Sequence, residues 1–223
     1  MKTQYFTAST LDGFIADEHH SLDWLCRCGE RPPGEYDRFI PEVGAIAMGA
    51  STYAWMLTHL IAPGADKEQP WPYAMPTWVF TTREWVTPPG ADVHFVRGDV
   101  RPVHALMAEA AKGKNAWIVV GGELAGQFHD AGLLDELIVG VASVTLGKGK
   151  PLLPRRIDPP PMMLVSAVAS GTGFATLTYQ VPRQGRATHP RPDQGPSAVP
   201  GEDPGPRDPP TSAAPWPARP RRP

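Results

Sequence analysis

The chain has 223 residues, a formal net charge of −2 at pH 7, and 20 % charged residues. That length holds one large domain, or one domain and a tail. No run approaches the roughly 18–20 apolar residues of a membrane span, which argues against a membrane partner.

Proline and charge are unevenly spread. Residues 183–223 hold 12 of the 28 prolines, almost no aliphatic side chain, and seven Arg against four acids. This stretch reads as a disordered Pro/Arg-rich tail. Residues 1–182 read as the folded domain, with 14 Lys and Arg against 19 Asp and Glu. An acidic domain of that kind is a poor nucleic-acid binder. Met1-Lys2-Thr3-Gln4-Tyr5-Phe6 runs straight into a strand without a signal-peptide apolar stretch, so a cytoplasmic protein is expected. Cys26 and Cys28 are too close for an ordinary disulfide. Together with His19 and His20 they fit no standard zinc spacing, so reduced thiols and no metal are expected.

Along the chain, residues 4–9 read as a short strand. Leu11-Asp12-Gly13-Phe14-Ile15-Ala16 follows, with an Asp-Gly turn signal. Residues 17–33 are polar and punctuated, apart from Leu22-Asp23-Trp24-Leu25. Residues 35–42 suggest a short helix. Residues 45–48 form an apolar strand between Gly44 and Gly49, and Ser51 is placed to cap a helix reaching about His59. Residues 62–76 are a Pro-rich loop with Trp71-Pro72-Tyr73, and 77–81 and 93–96 are strands. Val103, Leu106, Met107 and Ala110 predict a helix over 100–112, stopped at Gly113. Residues 116–120 form a strand, 123–131 a helix ending at Gly132, and 136–144 a long strand. Residues 162–169 and 174–181 alternate about Ser170-Gly171-Thr172-Gly173 as a hairpin. The pattern gives an α/β fold, largely parallel, with antiparallel strands at one edge.

Three segments end a strand with small or hydroxyl residues: Met48-Gly49-Ala50-Ser51-Thr52, Phe80-Thr81-Thr82-Arg83 and Val120-Gly121-Gly122-Glu123. Ligands of open α/β sheets sit at such ends, so the three together suggest a dinucleotide. Thr52 could hold pyrophosphate, Arg83 a ribose phosphate, and Gly121 and Gly122 could bring the backbone close. The G-x-G-x-x-G fingerprint and the G-x-S-x-G elbow are both absent. Asp12, after a strand and before Gly13, is expected to face a cleft as a substrate anchor or proton route. Trp24 could cover a flat ligand.

The runs Ser9-Thr10-Leu11-Asp12-Gly13-Phe14-Ile15-Ala16, Met48-Gly49, Val79-Phe80-Thr81-Thr82-Arg83, Val119-Val120-Gly121-Gly122-Glu123-Leu124 and Leu146-Gly147-Lys148-Gly149-Lys150-Pro151-Leu152 occur in one order. In that order the chain resembles the dihydrofolate reductase-like superfamily. Within it, the chain is most similar to the reductase domain of bacterial riboflavin biosynthesis and its small stand-alone relatives. The resemblance covers residues 2–181. It implies a doubly wound, mostly parallel sheet of about eight strands with an antiparallel C-terminal hairpin, NADPH as cofactor, and a homodimer. It also implies that Gly49 and Thr52 lie by the pyrophosphate, and Thr81, Thr82 and Arg83 by the adenosine ribose and its phosphate. Gly121, Gly122, Glu123, Leu124 and Ala125 would wrap the pyrophosphate, and Ser9 and Asp12 would border the nicotinamide and substrate. Glu123 must then turn its carboxylate away from the phosphates.

Two positions depart from the pattern. Ala50 stands where relatives commonly carry an Arg for the 2′-phosphate, and the acid of true folate reductases is missing near Pro33-Gly34, with Glu35 and Asp37 out of register. The resulting expectation is an NADPH-dependent reductase of a C=N or C=O bond in a small heterocycle or carbonyl compound. It would be related to 5-amino-6-(5-phosphoribosylamino)uracil reductase but would not reduce folate. The alternative is a non-catalytic nucleotide- or ligand-binding protein on the same fold.

Overall fold

The computed structural model describes residues 1–28, 34–61, 69–158 and 160–182. They fall within one compact unit, Met1–Gly185. The tail reading for 183–223 lies outside the described residues. Among the described residues ten strands form: β1 (Thr3–Thr10), β2 (Phe14–Ala16), β3 (Val43–Gly49), β4 (Thr77–Phe80), β5 (Val93–Val96), β6 (Asn115–Val119), β7 (Glu136–Ala142), β8 (Lys150–Pro151), β9 (Met163–Ser170) and β10 (Phe174–Gln180). The helices are α1 (Asp23–Arg27), α2 (Glu35–Phe39), α3 (Ala50–Met56), α4 (Val100–Ala110) and α5 (Gly122–Asp130).

Eight strands make one sheet in the order β5-β4-β3-β6-β1-β7-β10-β9. All pairs from β5 to β7 are parallel, and β10 is antiparallel to both β7 and β9. The expected α/β sheet with an antiparallel hairpin at one edge is therefore present. Every residue of β1 is buried, as befits a strand covered on both faces. Period-two alternation sorts its neighbours into two cores. Tyr5, Ala45, Ala47, Trp78 and Ile118 face α4 and α5, and pack with Met107, Leu124 and Phe128. Phe6, Ile46, Met48, Val79, Trp117 and Val119 face the other way, and pack with Tyr53, Met56 and Trp71. At the far edge, β9 exposes Met163, Leu164, Val165 and Val168. Among the described residues no helix is long and apolar enough to cross a membrane.

One local expectation needs correction. Gly49, not Ser51, is the residue before the first turn of α3, and no side chain caps it. A real cap does occur on α4, where Asp99 accepts from the Arg101 N–H at 3.0 Å. Two short elements escaped the sequence reading. One is α1. The other is the β2–β8 pair, whose contacts are too few to leave a periodic signal.

Strand β8 belongs to a longer strap, residues 144–155. Leu11 N–H donates to Val144 O and Leu152 N–H to Gly13 O, both at 2.8 Å. The Tyr5 hydroxyl donates to Leu152 O at 3.0 Å. The strap thus ties the end of β1 to the start of α5.

Candidate active site

A cleft of about 800 Å³ opens where β1, β3 and β6 end. Gly49, Thr52, Gly121, Gly122, Glu123 and Leu124 line one side of it. A second hollow, about 890 Å³, holds Thr81, Thr82 and Arg83, with His19 and Ser51. The two share His20, Leu22, Ala50, Ser51, Trp55 and Leu60, so they adjoin along a common wall and together make up a trough. It lies at the carboxyl ends of parallel strands on both sides of the position where β6 inserts between β1 and β3, as expected for a ligand site in an open sheet.

The turn from β6 into α5 is conformationally unusual. Val120 has φ +50° and Gly121 φ +88°. A β-branched residue in the left-handed region costs on the order of 1–3 kcal/mol, and such strain gathers at functional sites. A side chain at Gly122 would collide with the carbonyl oxygens of Pro151 and Leu152, so the strap allows only glycine there. Behind this turn stands the N-terminus of α5, a nine-residue helix whose first N–H groups have no partner within the helix. Those N–H groups and the helix dipole favour an anion. The Ala125 N–H is already bonded to Gly121 O at 3.0 Å, and Ala125 is wholly buried among the core residues. It supports the turn from behind and does not line the trough.

Glu123 is engaged by the strap. Its carboxylate pairs with Arg155 of the strap through two bonds, Nη1–Oε2 at 3.0 Å and Nη2–Oε1 at 2.7 Å. Arg155 Nε also holds Asp130 at 2.7 Å, which clamps both ends of α5. Gly126 makes room for this clamp, because a Cβ there would run into the guanidinium. Hydrogen bonding from Arg155 holds the Glu123 carboxyl below its ordinary range. Sequence reading missed Arg155, since nothing in its local run marks it.

In the second hollow, Thr81 is nearly buried and its hydroxyl accepts from the Arg83 N–H and from Trp85 Nε1, both at 3.0 Å. Its role is to shape the turn. Thr82 and Arg83 are exposed and face the hollow. Ala50 lines both hollows and offers no charge.

The three expected substrate contacts fall elsewhere. Ser9 is buried within β1 and Trp24 packs with Ala8, Ala142 and Phe174; neither lines the trough. Asp12 is exposed outside it. Its carboxylate accepts from the Thr10 hydroxyl, from Leu146 N–H at 3.1 Å and from Gly147 N–H at 2.7 Å. These bonds, led by that of Thr10, hold its carboxyl below the ordinary value. A chain turn between β1 and the strap uses up the side chain that was expected to face the cleft. Glu35 accepts from the Thr176 hydroxyl at 3.1 Å and is also outside the trough. Aromatic residues line the cleft instead: Phe6, Tyr36, Trp55, Tyr73 and Trp117. Among the described residues no three His, Cys, Asp or Glu side chains gather as a metal site would require.

Comparison with known proteins places this geometry. Residues 2–176 match the model of the RibD C-terminal domain. The uncharacterized protein YwjB of Bacillus subtilis (strain 168) is 32 % identical over 151 residues, spanning 68 % of this chain and 82 % of that protein. A candidate riboflavin biosynthesis protein from Shewanella sp. PV-4 superposes with a TM-score of 0.66 at 25 % identity, covering 82 % of this chain and all of that one. Dihydrofolate reductase from Enterococcus faecalis, solved with NADP(H), superposes at 0.52 and 17 % identity, covering 80 % of this chain and 95 % of that one, a likeness of fold. The fold, the trough at its parallel strand ends and the match over nearly the whole described chain lead to one conclusion: the chain belongs to the RibD C-terminal domain family.

Proposed function

We propose that the chain is an NADPH-dependent reductase acting on a C=N or C=O bond of a small heterocyclic or carbonyl compound. One observation carries this reading. A single trough runs from Arg83, past Gly49 and Thr52 and the N-terminus of α5, into an aromatic cleft. The residues suit a dinucleotide. A Cβ at Gly49 would meet nothing within 4 Å, so the backbone there lies open to a ligand. The α5 N-terminus would receive the pyrophosphate, Arg155 keeps the Glu123 charge neutralised beside it, and Arg83 would take the 2′-phosphate in place of the Arg missing at Ala50.

Bound NADPH would supply the hydride, and the protein would supply orientation, a dry site and proton placement. Asp12 would act at a distance, by fixing the strap that packs on Gly122. The second reading, a non-catalytic nucleotide-binding protein, is favoured by Ala50 and by the lack of a free carboxylate lining the aromatic cleft among the described residues.

A fluorescence titration with NADPH and NADH tests the proposal. NADPH should bind more tightly, and Arg83→Ala should weaken NADPH roughly tenfold while leaving NADH nearly unchanged. Failure to bind either cofactor sinks the reductase reading. Binding without oxidation across a carbonyl and imine panel selects the non-catalytic one.

We also infer a homodimer in which a second copy covers the apolar edge strand β9, since an exposed strand of this kind invites pairing. Sedimentation should give a dimer that Val165→Lys dissociates; a monomeric wild type removes the inference.

A further inference from the structure

The trough changes character along its length. At the end away from Arg83 it is lined by Phe6, Leu25, Tyr36, Met56, Tyr73 and Trp117. The Trp117 indole is fixed, because its Nε1 donates to Phe6 O at 3.0 Å. Tyr36 and Tyr73 both stand edge-on to it, with ring centroids 6.1 and 5.7 Å away. Trp117 has therefore spent its polar group internally, while the two phenols have not. Among the described residues neither phenol oxygen has a hydrogen-bond partner, neither is fully buried, and both residues line the cleft. Burial raises the pKa of both, and the nearness of Tyr36 raises that of Tyr73 further, so both stay protonated donors at neutral pH.

Charge is scarce at this end. Besides the phenols, the titratable groups lining the cleft are His20, Glu123 and Lys150. Glu123 is taken by Arg155. Lys150 lies on β8, paired with Ala16 and next to Pro151, whose carbonyl packs on Gly122. An anion placed among the aromatic rings would lose its hydration with Lys150 as the one lysine or arginine among the described lining residues, which is costly. A neutral acceptor would find two donors waiting.

We propose that this end of the trough binds an uncharged, planar aromatic carbonyl compound, its ring system against Trp117 and its carbonyl oxygen accepting hydrogen bonds from Tyr73 and Tyr36. That this compound is the substrate rests on the reductase reading; that it binds does not.

Calorimetric titration of the full chain without cofactor tests this with three matched probes. They are 2-acetylnaphthalene, 2-ethylnaphthalene (the same shape without the acceptor) and 2-naphthyl phosphate. 2-Acetylnaphthalene should bind about tenfold tighter than 2-ethylnaphthalene, as expected for two neutral hydrogen bonds, and 2-naphthyl phosphate should bind weakest. Tyr73→Phe keeps the ring, so it should reduce the preference for the ketone several-fold while leaving 2-ethylnaphthalene unchanged. Tyr36→Phe, on a separate element, should do the same. Tighter binding of the phosphate overturns the proposal, as does a ketone preference that survives both substitutions. NADPH titration is read separately. NADPH binding without ketone binding defeats this inference alone; ketone binding without NADPH binding defeats the reductase reading alone.

Discussion

The turns that end β1 and β6 look alike in sequence and differ in space. Each follows a buried strand, contains glycine and carries a carboxylate, Asp12 in one and Glu123 in the other. Each carboxylate is held below its ordinary pKa by hydrogen bonds. Yet Asp12 is spent on Thr10, Leu146 and Gly147 outside the trough, whereas the turn around Glu123 forms the trough wall. The partners of both come mainly from one strap, residues 144–155. A strand-end carboxylate acquires its role from the segment that reaches it, and that segment can be more than a hundred residues away.

The strongest way to test this difference is to substitute the two glycines. Gly122→Ala pushes a methyl into the strap backbone and should cost about 3 kcal/mol, with loss of NADPH binding. Gly13→Ala meets nothing within 4 Å and should cost only about 1–2 kcal/mol, from its φ of +84°. Urea denaturation with a cofactor titration on each variant measures both effects. Equal losses would mean that the strap does not fix the α5 turn.

Arg155→Ala probes the other side of the strap. It releases the Glu123 charge toward the trough and should weaken NADPH by about fivefold. Glu123→Gln added to that variant should restore most of the affinity. If the double variant stays weak, lost packing over Gly126 is the cause and charge is not.

The smallest effect belongs to Asp12→Asn. A carboxyl with a depressed native pKa contributes stability that is present above its unfolded value and is lost as pH falls through the native one. The melting temperature of the variant should therefore lie modestly below wild type at pH 7, and the difference should vanish toward pH 2. Cofactor affinity should fall only slightly, because Tyr5, Gly13 and Glu123 also hold the strap. A collapse of turnover with unchanged stability would instead put Asp12 in the chemistry.

Much of this molecule is written locally. The apolar and β-branched runs that become β1, β3, β4 and β6, the helix expected over 100–112 and the Gly121-Gly122 turn are all present, because strand, helix and turn preferences act over a few residues; of the helical stripe, Val103 and Met107 are buried, while Leu106 is exposed. The shortest elements, α1, β2 and β8, did not leave such a signal. Neither did Arg155, which stands 32 residues from Glu123. Tyr36 and Tyr73 come from a short helix and a Pro-rich loop, and meet only across Trp117.

The sequence by itself therefore determined the α/β class, the family resemblance and the trough-lining residues Gly49, Thr52, Arg83, Gly121 and Gly122, since each is marked by its own neighbours. Only the tertiary structure decided which carboxylates are neutralised, that Ser9, Asp12 and Trp24 stand outside the trough, and that aromatic rings and two free phenols line its far end. Those outcomes depend on which distant backbone groups and charges come within hydrogen-bond reach, and that is a property of the folded chain.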